Sequence, residues 1–477
     1  MSPFHPTKMF RGSRWGGMLL GLLLPGCAHY APQPLDPAAT TAQLDSRRLD
    51  DPGLKQFLEQ NLGTYLDRWP PQPWELPELT LVAFYYQPRL EVARAEWQAT
   101  AAEVKTAGGR PNPTITVTPG YDTTTAIPSP WFPAVNFDVP LETAGKRSKR
   151  IAAAQQRSAA ARWQVIETAW QVRSQLRGSL LEVTVAEQRA GLLQLQVQTQ
   201  QQLVHRLQQR LEAGAISRPE LTTAQTALQH SEADLADARM RVAEARPRLA
   251  AALGLSAPAL TGAEFGFEFP EPEAALTSAA ARRMALQSRA DILAALADYA
   301  AAEADLRLEI ARQYPDIHLN PGYQYDQGDN KWSLGLTAEL PLLNRNEGPI
   351  ATATARRQLA AAKFTALQAQ VIGDIDAAVA GWQAAHASQK NIAALVAAAQ
   401  KQLRAVTAQK RAGAADQLDV LAAQAEANNA ALTQLDYEAQ YQGKVGALED
   451  ALQRPSDALA AALAGTPEAP NRTPSKP

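Results

Sequence analysis

The 477-residue sequence has a single cysteine, Cys27, so it holds no internal disulfide framework and no multi-thiolate metal site. Aromatic residues are scarce, 6% against 46% hydrophobic overall. The apolar content is therefore mostly Ala, Leu, Val and Ile, a helix-rich composition. A charge excess is missing too: 46 basic and 48 acidic residues give a net charge of -2, with no basic surplus for binding phosphates, so nucleic acid is not expected as a partner. Past residue 27 no window holds 18 consecutive apolar residues. No transmembrane helix is expected, and the mature chain could enter a membrane only as a β-barrel.

Catalytic constellations are also lacking. Past Cys27 the histidines are His29, His205, His230, His318 and His386, scattered and without metal-ligand spacing. Gly262 to Gly266 lacks the strand-turn-helix context of a phosphate loop and is read as part of a link. Only Met240 and Met284 remain past Cys27, too few for a soft-metal relay. No catalytic residue, cofactor or resident metal is expected, and the chain is read as not an enzyme.

What is present begins with the first 27 residues. Lys8, Arg11 and Arg14 precede a short apolar run from Met18 to Leu24, and Leu24-Pro25-Gly26-Cys27 closes it. This reads as a lipoprotein signal, residues 1–26, with Cys27 as the lipidated residue of the mature chain; an ordinary signal with an incidental Cys is the competing reading. Ala28 lacks the acidic character of an inner-membrane retention residue, so an outer-membrane anchor is favoured. Residues 27–78 are proline-rich (Pro32, Pro34, Pro37, Pro52, Pro70, Pro71, Pro73, Pro77) and are expected to be extended. Residues 455–477 are expected to form a flexible tail.

Between these segments lies an internal repeat. Pro113-Thr114-Ile115-Thr116-Val117-Thr118-Pro119-Gly120-Tyr121 returns as Pro315-Asp316-Ile317-His318-Leu319-Asn320-Pro321-Gly322-Tyr323, an offset of 202 residues. Val139-Pro140-Leu141 returns as Leu340-Pro341-Leu342, and Ala213-Gly214-Ala215 as Ala412-Gly413-Ala414. A period this long means two copies of one large substructure, residues 79–256 and 276–454, joined by a link at 257–275. Each copy is expected to run helix, two strands, very long helix, turn and returning helix.

The first helix of copy one is expected over 82–107, ended by Gly108, Gly109 and Pro111. Residues 144–212 then carry Trp163, Ile166, Trp170, Leu176, Leu180 and Val183 at helical steps. In copy two the stripe is Val371, Ile375, Ala378, Trp382, Ala385, Ile392, Val396, Ala399, Leu403 and Val406, a coiled-coil spacing. At 1.5 Å per residue, such a helix is about 100 Å long.

The strands are expected at about 114–121 and 133–140 in copy one and about 316–325 and 331–341 in copy two. In all four, apolar residues alternate with polar ones. The pattern fits apolar-out, polar-in strands of a membrane barrel; a soluble four-stranded sheet over a core has the same period of two. Four strands cannot enclose a lumen, since about eight are needed before side chains even fill one, so several chains must contribute.

With these residues in place, the chain resembles the TolC-like outer-membrane efflux family over nearly its whole mature length. The resemblance rests on the repeated unit, on Phe137-Asp138-Val139-Pro140-Leu141-Glu142 followed by Gly145-Lys146-Arg147 and Arg150, and on the two Ala-Gly-Ala turns. The Pro-Leu-Glu then Gly-Lys-Arg pattern is similar to the CzcC-like cation-efflux branch. The resemblance implies a mainly α fold with a β-barrel part: a homotrimer in outer-membrane lipid, with a 12-stranded barrel continued by a long periplasmic α-helical barrel. It also implies a periplasmic adaptor (membrane fusion) protein and an inner-membrane RND transporter as partners. The lumen of the barrel would be lined by Thr116, Thr118, Asn136, Asp138, His318, Asn320, Lys331 and Glu339. Cargo would be metal cations or small toxic compounds. The exit duct of a type I secretion system and a lipid-anchored periplasmic coiled-coil scaffold are the alternatives.

Two further assignments follow from the resemblance. Gly214, Ala215, Ile216, Ser217, Gly413, Ala414 and Ala415 resemble the family's periplasmic tip motif that meets the adaptor, and a Gly that merely ends a helix is the competing reading. Asp416 and Asp419, with Lys410 or Arg411 as counter-charge, become gate candidates; the competing reading makes Asp416 the cap of the returning helix.

Overall fold

The computed structural model describes residues 30–63, 65–123, 129–267 and 274–454. The signal segment, Cys27, His29 and the tail 455–477 lie outside them, as do residues 268–273 of the link. The described residues fall into two compact units that divide between Ser46 and Arg47. In the first, helix α1 (Pro37–Asp45) starts with Asp36 accepting the Ala38 N–H at 2.9 Å.

The second unit opens with α2 (Pro52–Leu62), capped by Asp51 and closed by Gly63 at φ 67°. Residues 27–78 are thus not an extended segment. Pro37 and Pro52 each stand at the first helical position behind an Asp cap, where a missing N–H costs nothing and the fixed φ favours the helix. Next come α3 (Leu76–Tyr86) and α4 (Pro88–Ala107), in place of one helix over 82–107. Pro88 forces Gln87 into extended backbone (φ -69°, ψ 116°) and splits the element.

Strand β1 (Thr114–Thr118) stops at Pro119, which has no N–H for the ladder. Strand β2 (Ala134–Leu141) leads into α5 (Lys146–Glu212), a helix of 67 residues and therefore about 100 Å, and α6 (Arg218–Leu253) returns along it. After the link come α7 (Ala279–Ser288) and α8 (Ala290–Ala311), then β3 (Ile317–Asp326), β4 (Asp329–Ala338), α9 (Glu347–Arg411) and α10 (Gln417–Leu452). The order helix, strand, strand, long helix, returning helix thus occurs twice. The β3–β4 turn places Gln327 and Gly328 at φ 51° and 100°, the two positive values a tight two-residue hairpin needs.

The main apolar core gathers Leu54, Leu58, Trp74, Leu79 and Val82 with Leu176, Leu180 and Val183 of α5 and Leu249 and Leu253 of α6. Trp74 is pinned there by the link, its N–H donating to Glu264 O at 2.8 Å and its carbonyl accepting from Gly266 N at 2.9 Å. This is the role of the Gly262–Gly266 stretch. Of the apolar stripe expected on α5, Trp170, Leu176, Leu180 and Val183 are buried and Ile166 is exposed. Among the described residues, no helix is long and apolar enough to cross a membrane.

Candidate functional site

The four strands form one antiparallel sheet in the order β1-β2-β3-β4. Register sorts their side chains into two faces. Pairs Ile115–Phe137, Val135–Tyr323, Leu319–Leu336, Pro321–Leu334 and Tyr323–Trp332 place the apolar residues together. This face is bare: Trp332 is 80% exposed, Leu334 72% and Leu336 71%. A contiguous exposed apolar surface of this kind marks contact with another apolar phase.

On the opposite face lie Thr116, Thr118, Asn136, Asp138, His318, Asn320 and Lys331, all of which sequence reasoning assigned to it. His318 Nδ1 lies 2.9 Å from Asp138 Oδ1, Asn320 Nδ2 donates to the same oxygen at 3.2 Å, and Thr337 Oγ1 donates to Asn320 Oδ1 at 2.9 Å. Lys331 pairs with Asp326 at 2.7 Å. A Cβ at Gly322 would sit 2.5 Å from Asn136 Oδ1 and 2.8 Å from Ser333 Oγ, so both side-chain ends would have to turn aside to admit one. Glu339, expected on this strand, falls one residue past the end of β4.

At the foot of the sheet the Gly-Lys-Arg pattern acquires a structural meaning. Arg147 Nε donates to Gly108 O at 2.8 Å, and Arg150 donates to Ala107 O and Gly109 O at 2.8 and 3.0 Å while pairing with Glu142 at 2.6 Å. Two arginines thus satisfy the end carbonyls of α4, which a helix leaves without partners. Lys146 reaches across to Asp316 at 2.8 Å, tying the start of α5 to the residue before β3.

At the far end of the long helices the two turns share one geometry. Gly214 N–H bonds Leu211 O and Ala215 N–H bonds Arg210 O; Gly413 N–H bonds Lys410 O and Ala414 N–H bonds Gln409 O. Each is a Schellman end with Gly in the left-handed region, φ 72° and 77°. Both glycines are therefore accounted for as helix ends, and Ala215, Ser217 and Ala414 stand exposed around them. Asp416 caps α10: its Oδ1 accepts from Leu418 N and Asp419 N at 2.7 and 3.0 Å, and Asp419 Oδ2 accepts from Asp416 N at 2.8 Å. The counter-charge expected from Lys410 or Arg411 comes instead from Arg210 of the first hairpin, which pairs with Asp416, while Lys410 donates to Gln417. An alanine-rich turn is narrow enough to set the two hairpin ends side by side, which spacing within one hairpin cannot reveal.

Sequence reasoning missed a buried charged cluster between the copies. Arg173 pairs with Glu449 at 3.0 Å, both almost fully buried, and Arg177 lies 3.5 Å from the same carboxylate and donates to Gln442 O at 2.9 Å. Asp450 accepts from Ser174 Oγ at 2.5 Å and from Trp170 Nε1 at 3.1 Å; burial pushes its carboxyl above the ordinary range. The signal was Arg173 and Arg177 one turn apart among Leu176 and Leu180. Among the described residues, no group of three or more His, Cys, Asp and Glu could hold a metal ion.

Residues 83–255 and 281–453 each match the family described as outer membrane efflux protein. Over 295 residues, 60% of this chain and 69% of the relative, the sequence is 26% identical to the cobalt-zinc-cadmium resistance protein CzcC of Cupriavidus metallidurans. The outer membrane protein VceC of Vibrio cholerae is similar in structure, with a TM-score of 0.65 at 22% identity over 80% of this chain and 97% of that one. The MtrE outer membrane channel of Neisseria gonorrhoeae, solved in its open state, is similar at a TM-score of 0.62 and 17% identity, covering 80% and 89%. Identities this low carry the fold alone. The two family matches span more than half of the sequence, and the chain belongs to the outer membrane efflux protein family.

Proposed function

We propose that this protein is the outer-membrane channel of a tripartite efflux system, a passive homotrimeric duct from periplasm to exterior. The observation that carries the reading is the sheet: one face largely apolar, with Trp332, Leu334 and Leu336 of β4 bare, the other polar, set on two helices of about 100 Å. Closing three such sheets edge to edge gives a 12-stranded barrel whose apolar face meets lipid and whose lumen carries Asp138, His318, Asn320 and Lys331. Transport energy comes from an inner-membrane RND transporter, linked through a periplasmic adaptor. Likeness to a cobalt-zinc-cadmium resistance protein supports metal cations as cargo. Cys27 carries the lipid anchor.

The hairpin ends meet the adaptor, with exposed Ala215 and Ala414 as the contact. Ala215→Trp with Ala414→Trp abolishes efflux while membrane insertion stays intact, and unchanged efflux removes the tip contact. The Arg210–Asp416 pair joins the two hairpins and is the proposed latch of a closed tip. Single-channel recording of the purified protein in planar bilayers tests the whole reading. A channel gives discrete conductance steps, whereas a lipid-anchored scaffold gives none.

A further inference from the structure

At the foot of the apolar sheet face a cavity of about 630 Å3 opens between the sheet and the start of α5. Its lining is Thr143, Ala144, Tyr314, Pro315, Ile317 and Ala338. Ile317 and Ala338 are paired in the ladder and share the face of Leu319, Leu336 and Trp332, so the cavity continues the surface assigned to lipid. It is a shallow groove, open to solvent over most of its extent. Its lining draws on Thr143 and Ala144 beyond the end of β2, on Tyr314, Pro315 and Ile317 at the start of β3, and on Ala338 at the end of the edge strand β4.

One cation stands at its rim. Lys149 Nζ donates to the carbonyl of the lining residue Ala144 at 2.6 Å. Lys149 and neighbouring Arg147 have no carboxylate partner among the described residues, whereas Lys146 and Arg150 are neutralised by Asp316 and Glu142. An apolar recess with a cation at its mouth, at the boundary where the sheet gives way to helices, is complementary to an acyl chain below an anionic headgroup.

We infer that this cavity binds a glycerophospholipid with an anionic headgroup, its acyl chain against Tyr314, Pro315, Ile317 and Ala338 and its phosphate at Lys149. The inference rests on the channel reading, which assigns the apolar face to lipid. Because the cavity lies at the end of the sheet where the long helices begin, the leaflet concerned is the periplasmic one, built of phospholipid. The bound lipid seals the junction between barrel and helices.

The test uses the full-length protein purified in detergent, stripped of lipid and titrated with phosphatidylglycerol or phosphatidylcholine, with retention read by native mass spectrometry. The wild type retains phosphatidylglycerol in preference to phosphatidylcholine. Lys149→Gln weakens retention of phosphatidylglycerol about fivefold and erases the preference, as expected for one headgroup cation. Ala338→Leu, which fills the recess without touching Lys149, removes retention of both lipids. Equal retention of the two lipids by the wild type, or wild-type retention by both variants, overturns the inference. It is likewise overturned if Cys27→Ala abolishes the bound mass, since the occupant is then the chain's own acyl group. Conductance recorded on the same samples separates the readings: steps without lipid retention sink this site and leave the channel, and their absence sinks the channel.

Discussion

The two long helices are near equal in length, 67 residues in α5 and 65 in α9, yet α5 buries 18 side chains and α9 only four. The difference follows from position. Helix α5 packs against α3, α4, α6, α8 and α10, whereas α9 rests mainly on α8 and α10. Copy one therefore contains its own spine, and copy two leaves a flank of about 100 Å open along an Ala-rich surface. Ala costs little side-chain entropy and lets another helix come close, so the open flank suits association with a second copy of this chain. One repeat thus supplies the buried spine of the protomer, and the other leaves the flank on which the proposed homotrimer would assemble.

The largest effect expected from this asymmetry lies in the buried cluster on α5. Glu449→Ala leaves Arg173 and Arg177 buried without their carboxylate and destabilises the protomer by about 3–5 kcal/mol. Its counterpart on α9, the exposed pair Arg282–Asp376, contributes no more than about 1 kcal/mol, so Asp376→Ala is nearly silent. Denaturant melts of the two variants in detergent decide this, and equal losses break the comparison.

Core truncation gives the next test. Leu180→Ala on α5 removes a fully buried side chain and costs about 2–5 kcal/mol. Leu359→Ala on α9, 56% exposed in the protomer, changes protomer stability by no more than about 0.5 kcal/mol and instead weakens the oligomer, as read by sedimentation. A smaller loss is expected at the sheet, where Gly322→Ala makes the exposed Asn136 and Ser333 side chains turn aside and costs no more than about 1 kcal/mol with no change at either tip.

What the sequence disclosed follows the same division. The strand faces were legible because alternation with period two fixes both faces once register is set, and every polar-face residue but Glu339 fell where expected. The α9 stripe from Val371 to Val406 was legible because every residue in it is buried or half-buried, so a single face of α9 meets its main neighbours α8 and α10. The surroundings of α5 were not, because five neighbours on several sides blur any single stripe, which left Ile166 exposed. Arg173 and Arg177 look like ordinary surface residues until Glu449, 276 residues from Arg173, is brought beside them. The helices in the proline-rich segment were missed by reading proline composition without position: Pro37 and Pro52 follow Asp caps and start helices instead of preventing them.

The smallest stability effect and the most informative functional one is expected at the tips, where the copies share a backbone geometry but differ in charge. The first returning helix begins at Ser217, whose hydroxyl and N–H both donate to Glu220, and the second begins at Asp416, paired with Arg210 across the hairpins. The backbone N–H of Asp419, with smaller help from Arg210, holds the Asp416 carboxyl below its ordinary range. The folded value is the lower one, so the stabilisation is present above the unfolded value of about 4 and disappears as pH falls through the depressed folded value. Asp416→Asn keeps an oxygen to cap α10 but deletes the charge. The exposed pair is worth no more than about 1 kcal/mol, so melting barely moves. Basal conductance in planar bilayers should nevertheless rise and cation preference fall, and the wild type should approach the same conductance as the bath is acidified. Ser217→Ala in the first copy loosens a cap without touching the latch and leaves conductance unchanged. If Asp416→Asn conducts as the wild type does throughout the pH range, Asp416 serves only as a helix cap and the two tips are functionally equivalent.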